Sequence, residues 1–170
     1  VARKVRRVAY QGGWYPPRHQ NGGGTFNWDC GGPWFDHTGC KNASAFVVNT
    51  MPTEVEQLFS DLGDEVYTGG ALTSCAPGRN PCRASFIDYL GPGNGRPSWD
   101  EVVVLLAVRG HDRVTLAATS RLKLVNGFNR VNENGANWWN FTSKEPHRQS
   151  FLAYDTDRDG ARAAMTNEID

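Results

Sequence analysis

Nowhere in these 170 residues does an apolar run approach the roughly 20 residues needed to cross a bilayer, so a membrane span is not expected. Charge of one sign is also lacking, because 18 Lys and Arg balance 18 Asp and Glu. A balanced chain without a basic stripe argues against nucleic acid as a partner, and the lack of an acidic tail argues against a solvating segment. The one basic cluster, Arg3-Lys4-Val5-Arg6-Arg7, runs into apolar residues and reads as a solvated strand end. No Cys-x-x-Cys occurs and His37 is the only histidine near a cysteine, which disfavours zinc. The chain opens on Val1 with no signal-peptide pattern, and the lack of an initiator Met suggests that something upstream has been removed or is not included in this sequence. There is no internal repeat, and the length suits a single domain over 1–170 with a real core.

Several catalytic signatures are missing too. Asn21-Gly22-Gly23-Gly24-Thr25-Phe26-Asn27 invites comparison with a phosphate loop, but it lacks the Lys-Ser/Thr ending and the Gly-x-Gly-x-x-Gly spacing. Asn21 and Asn27 can instead bind hydroxyls, since an amide both donates and accepts, or they can simply form turns. Asp155-Thr156-Asp157-Arg158-Asp159-Gly160 opens like a calcium loop, yet Thr166 stands where the bidentate Glu belongs, so the segment reads as the cap of a last helix. His19, His37, His111 and His147 are scattered without metal-ligand spacing and read as surface residues. No Gly-x-Ser-x-Gly elbow occurs.

The four cysteines form two close pairs. Three pairings are open; the local one, Cys30 with Cys40 and Cys75 with Cys82, is favoured because each pair brackets a Gly- or Pro-rich loop. Sequons at Asn42-Ala43-Ser44 and Asn140-Phe141-Thr142 join the cysteines in pointing to a secreted protein or the lumen of an oxidising compartment.

Val5–Tyr10 reads as a buried strand ending at Gln11-Gly12-Gly13, followed by a long aromatic, Gly-rich loop to Gly39. A helix carrying Ala43, Phe46 and Val47 on one face ends near Met51-Pro52. Val55–Phe59 fits helix or strand, while 81–90 and 98–108 read as helices. Val114–Ala117 suggests a strand, and Asn126-Gly127 between apolar runs is a hairpin signal. A strand over 151–154 and a helix over 160–169 complete the chain, with Trp138-Trp139 placing at least one indole in the core.

Arg96-Pro97-Ser98-Trp99-Asp100 running into Glu101–Gly110 is the richest stretch. Pro97 stops what precedes it, Ser98 with Glu101 has capping-box spacing, and a long apolar helix follows. Asp100 thus falls in a first turn. There it either complements the positive helix end, worth about 0.3–1 kcal/mol, or serves as a metal ligand or catalytic acid.

Taken together, these blocks resemble the C-terminal half of the inosine–uridine nucleoside hydrolase family, in its secreted, disulfide-containing branch. Val5–Gly13 resembles the family's strand ending in Met-Gly-Gly, and Thr25-Phe26-Asn27 falls where it has Glu-Phe-Asn or Glu-Tyr-Asn. Tyr67–Cys75, Asn80–Arg83 and Arg96–Gly110 are similar to further stretches, and Glu168-Ile169-Asp170 suits the terminal helix. The resemblance implies an α/β fold with an open, mainly parallel sheet and flanking helices, of which this chain is the C-terminal portion. It also implies calcium-dependent hydrolysis of the N-glycosidic bond of ribonucleosides. Asp100 matches a calcium ligand, Asn27 a ribose-holding Asn and Asn21 loosely another. Trp99 stands where some members carry a His that assists the leaving base; an indole can only stack or donate.

Departures from the family pattern are specific. The aspartate-rich opening motif is absent, Thr25 replaces the ribose-binding Glu, and Phe59-Ser60-Asp61-Leu62-Gly63-Asp64-Glu65 diverges from Phe-Ser-Gly-Phe-Glu-Val-Gly. Calcium takes six to eight oxygens and Asp100 supplies at most two. Two expectations follow. In one, the N-terminal half of the same precursor or another subunit completes a calcium site and a ribonucleoside is hydrolysed. In the other, the chain is a degenerate, non-catalytic structural or interaction subunit of a larger extracellular assembly.

Overall fold

The computed structural model describes residues 4–19, 27–29, 39–75, 78–109, 121–141 and 148–170. Asn21, Thr25, Cys30, His37, His111, Thr142, His147 and the expected strand at 114–117 lie outside the described residues. In chain order the elements are β1 (Arg7–Gln11), α1 (Cys40–Thr50), β2 (Glu56–Ser60), a 3-10 turn (Leu62–Glu65), β3 (Tyr67–Thr68), α2 (Gly70–Cys75) and α3 (Pro81–Leu90). There follow β4 (Arg96–Pro97), α4 (Trp99–Arg109), β5 (Leu122–Val131), β6 (Asn137–Asn140), β7 (Gln149–Tyr154) and α5 (Arg158–Ile169). The chain divides into two compact units, Val1–Asp61 with Lys123–Ala153 and Leu62–Leu122 with Tyr154–Asp170.

The first unit is built on a five-stranded sheet in the order β1-β2-β7-β5-β6. β2 runs parallel to both β1 and β7, whereas β5 and β6 pair antiparallel. The ambiguity of Val55–Phe59 ends here: Glu56–Ser60 is a strand, and four of its five residues are buried, polar Gln57 and Ser60 together with Leu58 and Phe59, so both of its faces are covered. Six rings interlock in the core. Tyr10 stacks on Phe59 at 4.9 Å and Tyr15 on Phe151 at 5.1 Å, with Trp28 and Trp139 meeting Phe59 edge-on.

One expectation needs correction. Asn126-Gly127 makes no hairpin; β5 runs straight through it. A Cβ at Gly127 would lie 2.5 Å from Trp139 Nε1 and 2.6 Å from the Asn140 carbonyl, so glycine serves the close approach of β6 and not a turn. The hairpin forms later, where the Asn132 carbonyl accepts the Gly135 N–H at 2.9 Å and Gly135 takes φ +83°. Helix α1 is present, but it buries Ala45 and Val48, while Phe46, Val47 and Ala43 are exposed. Of the tandem indoles, Trp139 is buried and Trp138 exposed.

In the second unit α4 lies against the 3-10 turn and against α5, burying Leu62, Val66, Val102, Leu106, Ala161 and Met165. The ends of its helices follow the sequence closely. Asn80 caps α3, its side-chain oxygen accepting from the Cys82 and Arg83 amides at 2.9 and 3.2 Å, with Pro81 next in line. Asp157 caps α5 through the Gly160 amide at 2.9 Å, the role expected for the Asp155–Gly160 segment.

Candidate functional site

Open parallel sheets hold ligands beyond the carboxyl ends of their strands. In the first unit that edge carries Gly12–His19, following β1, and Asp61, following β2. Gly13 takes φ +89°, and a Cβ there would lie 2.4 Å from the Tyr15 hydroxyl, so only glycine lets the chain fold back this tightly. Tyr15 then donates its hydroxyl to the Gly12 carbonyl at 2.8 Å and accepts from Asn129 Nδ2 at 3.1 Å. Asn137 Nδ2 donates to Asn129 Oδ1 at 2.9 Å, and the Asn129 amide donates to Gln149 Oε1 at 2.7 Å. Buried amides from three strands thereby fix the loop after a fourth.

Asp61 is the charged centre of this edge and is almost fully buried. It accepts the Tyr15 N–H at 3.3 Å and lies 3.4 Å from Arg18 Nη1 and 3.5 Å from His19 Nε2. Arg18 also donates to the Asp61 carbonyl. The Trp14 ring meets the His19 ring edge-on at 3.9 Å. Burial, and then the Asp61 charge, push the Tyr15 hydroxyl well above the usual phenol range; the Asn129 hydrogen bond works the other way. Burial alone pushes Tyr10 up to about 12. His19 is therefore a partner of a buried carboxylate and not the surface residue expected of it. Arg18 and His19 stand more than 40 residues from Asp61 in the chain, and only the parallel pairing of β1 and β2 joins them. The available clue was an acidic residue placed directly after a strand.

Asn27, also in the first unit, takes φ 62° and donates through Nδ2 to the Gln11 carbonyl at 3.0 Å. The turn role and the contact with the strand end coincide, which leaves its side-chain oxygen as the atom available for a hydroxyl. Trp28 beside it is buried in the aromatic core.

In the second unit the start of α4 is tightly held. The Ser98 amide donates to the Gly63 and Val66 carbonyls at 2.9 and 2.8 Å, and its buried hydroxyl pairs with Thr68 Oγ1. A Cβ at Gly63 would lie 2.4 Å from the Trp99 Cα, so backbone rests on backbone there. The Arg96 guanidinium lies 5.5 Å from the ring centres of both Trp99 and Tyr89. Asp100 and Glu101 fall in the first turn, with Asp100 exposed. Trp99 and Asp100 are thus neighbours as expected, while Asn27 belongs to the other unit.

Among the described residues no group of three or more His, Cys, Asp and Glu could hold a metal ion. Asp100 supplies two oxygens at most where calcium needs six to eight, so these residues do not fit the ion by themselves. Cys40 is disulfide-bonded, whereas Cys82, expected to pair with Cys75, carries a free and exposed thiol. Asn42 and Asn140, the sequon asparagines, are both exposed. No described helix is long and apolar enough to cross a membrane.

Comparison with protein-family models, with curated proteins and with solved structures finds no match to this chain. What the chain itself defines is a mixed α/β protein with a mostly parallel five-stranded sheet and flanking helices.

Proposed function

We propose that the chain is a nucleoside-hydrolase-like polypeptide, acting on the N-glycosidic bond of ribonucleosides only when a further segment completes its metal site. The observation that carries this reading is Asp100, an exposed carboxylate on a helix start fixed by two backbone hydrogen bonds and a glycine contact. Dipole complementation does not require such fixation, since any first-turn acid supplies it. A ligand that must hold its position does require it.

On this reading Asp100 would give one carboxylate to a calcium ion that needs further donors to be held. The other donors come from outside the described residues, from the N-terminal half of the same precursor or from another subunit. Trp99, with Arg96 against its ring, offers a nucleobase its stacking surface. The bonded Cys40 and the exposed Asn42 and Asn140 support an oxidising or extracellular setting.

The second reading is a non-catalytic subunit of a larger assembly, and a specific observation favours it. Asp61 stands where the resembled family has Gly, and its carboxylate is engaged with Tyr15, Arg18 and His19. Calcium titration of the intact particle by calorimetry separates the two. Binding that is lost in Asp100→Asn supports the hydrolase reading, and the absence of Asp100-dependent binding supports the second.

A further inference from the structure

Helix α4 is apolar on two sides. Val102, Val103 and Leu106 point inward and are buried, but Val104 is 58% exposed and Val108 76% exposed. A helix that is apolar nearly all round is expected to be covered nearly all round. Val104, Leu105, Val108 and Ile169 floor an open groove of about 410 Å³ along α4 and the end of α5. Its two ends differ in charge. Asp100 and Glu101 line one end, and Arg109, 3.7 Å from Glu168, lines the other.

We propose that this face is the interface of a two-fold symmetric dimer, with the α4 helices of two copies running antiparallel. The charge pattern identifies the occupant. A two-fold axis between Val104 and Leu105 sets Arg109 of each copy opposite Asp100 of the other, and Val108 opposite Glu101. Residues i and j exchange places under such an axis, as an isologous contact requires. The acidic and basic ends are nine residues apart, about 14 Å at 1.5 Å per residue. That length gives each copy's valines a seat between the other's charges. Arg109 has five N–H donors, enough to keep Glu168 and to reach the second copy's carboxylate. Its present ion pair is exposed and contributes little by itself. The formal net charge of zero leaves no overall repulsion between copies. Both readings draw on the Asp100 carboxylate, one oxygen of which would face Arg109 of the second copy; the dimer is read from molecular mass and the hydrolase reading from calcium and ribose, so their failures are distinguishable.

The test is the mass of the intact protein by sedimentation equilibrium across a concentration series, with the fold of each variant checked by circular dichroism. The natural chain is expected at twice its monomer mass. Val108→Glu, at an exposed position where the monomer tolerates charge, is expected to weaken association at least tenfold. Arg109→Glu and Asp100→Arg should each weaken it as well, and an equimolar mixture of those two should recover a heterodimer, because residues 100 and 109 then meet opposite charge at both ends. A monomer at all concentrations overturns the proposal. So does a dimer indifferent to Val108→Glu, a mixture that fails to recover, or a different protein held on Val108 in place of the second copy.

Discussion

Asn137 on β6 and Trp14 after β1 hold each other like two residues of a sheet, although 123 positions separate them. The Trp14 N–H donates to Asn137 Oδ1 at 2.8 Å, and Asn137 Nδ2 returns a bond to the Trp14 carbonyl at 3.3 Å. One side-chain amide thus does the work of a strand for a loop that has none. Asn137→Ala leaves the Trp14 amide and Asn129 Oδ1 without these partners. The lost bonds are part-buried at Trp14 and buried at Asn129, and at about 1–3 kcal/mol for each such loss urea unfolding should show a loss of roughly 2–5 kcal/mol. A loss below about 0.5 kcal/mol would mean the loop is held by other means.

Asp61 has a different job, since the Arg18 guanidinium and the His19 ring face it. Asp61→Asn keeps an acceptor for the Tyr15 amide and removes the charge facing Arg18 and His19. Asp61→Ala removes both. Unfolding free energies should therefore fall in the order wild type, Asn, Ala, with Ala costing about 3 kcal/mol, as for a broken buried pair. Equal costs for the two variants would show that the charge is immaterial.

Alkaline pH should weaken the fold through Tyr10. Its hydroxyl titrates near 10 in the unfolded chain and at about 12 in the folded one. Between those values the unfolded state has lost a proton that the folded state retains, so stability falls as pH rises. The contribution is fully present below pH 10 and disappears through about pH 12. Tyr15, also raised, adds to the loss in the same direction. Urea midpoints from pH 9 to 12 should drop less steeply in Tyr10→Phe than in wild type; parallel curves would assign the loss elsewhere.

Gly63→Ala sets a methyl group against the Trp99 backbone. Neither side is a flexible side-chain tip, so the α4 start must shift, at about 1–3 kcal/mol for overpacking. Thermal unfolding should register that loss, and calcium affinity at Asp100 should fall further than stability alone explains. Unchanged affinity with reduced stability would detach Asp100 from its support.

How far the sequence could be read depended on the range of the interactions. Asn80-Pro81 marks the start of α3 because a cap involves its own neighbours, whereas the Ser98 hydroxyl, expected to cap α4, pairs with the distant Thr68. The Asn126-Gly127 pair points to a hairpin by the same local logic, but a Trp139 contact from the next strand decides Gly127 instead. Phe46 and Val47 have the right chemistry for a core and the wrong side of α1. Asp100 was visible as a first-turn acid. Arg18, His19 and Asp61 were not visible as a group, since two strands must pair before they meet.

On the hydrolase proposal, Asp100 is one part of a ribonucleoside-cleaving site. Ribose release from inosine and uridine by the intact particle, wild type against Asp100→Asn with calcium present, tests it most directly. The account predicts release from the wild type and at least a hundredfold loss, about 2.7 kcal/mol of activation free energy, in the variant with its fold intact. No release from the intact particle, or equal release from both, would contradict it.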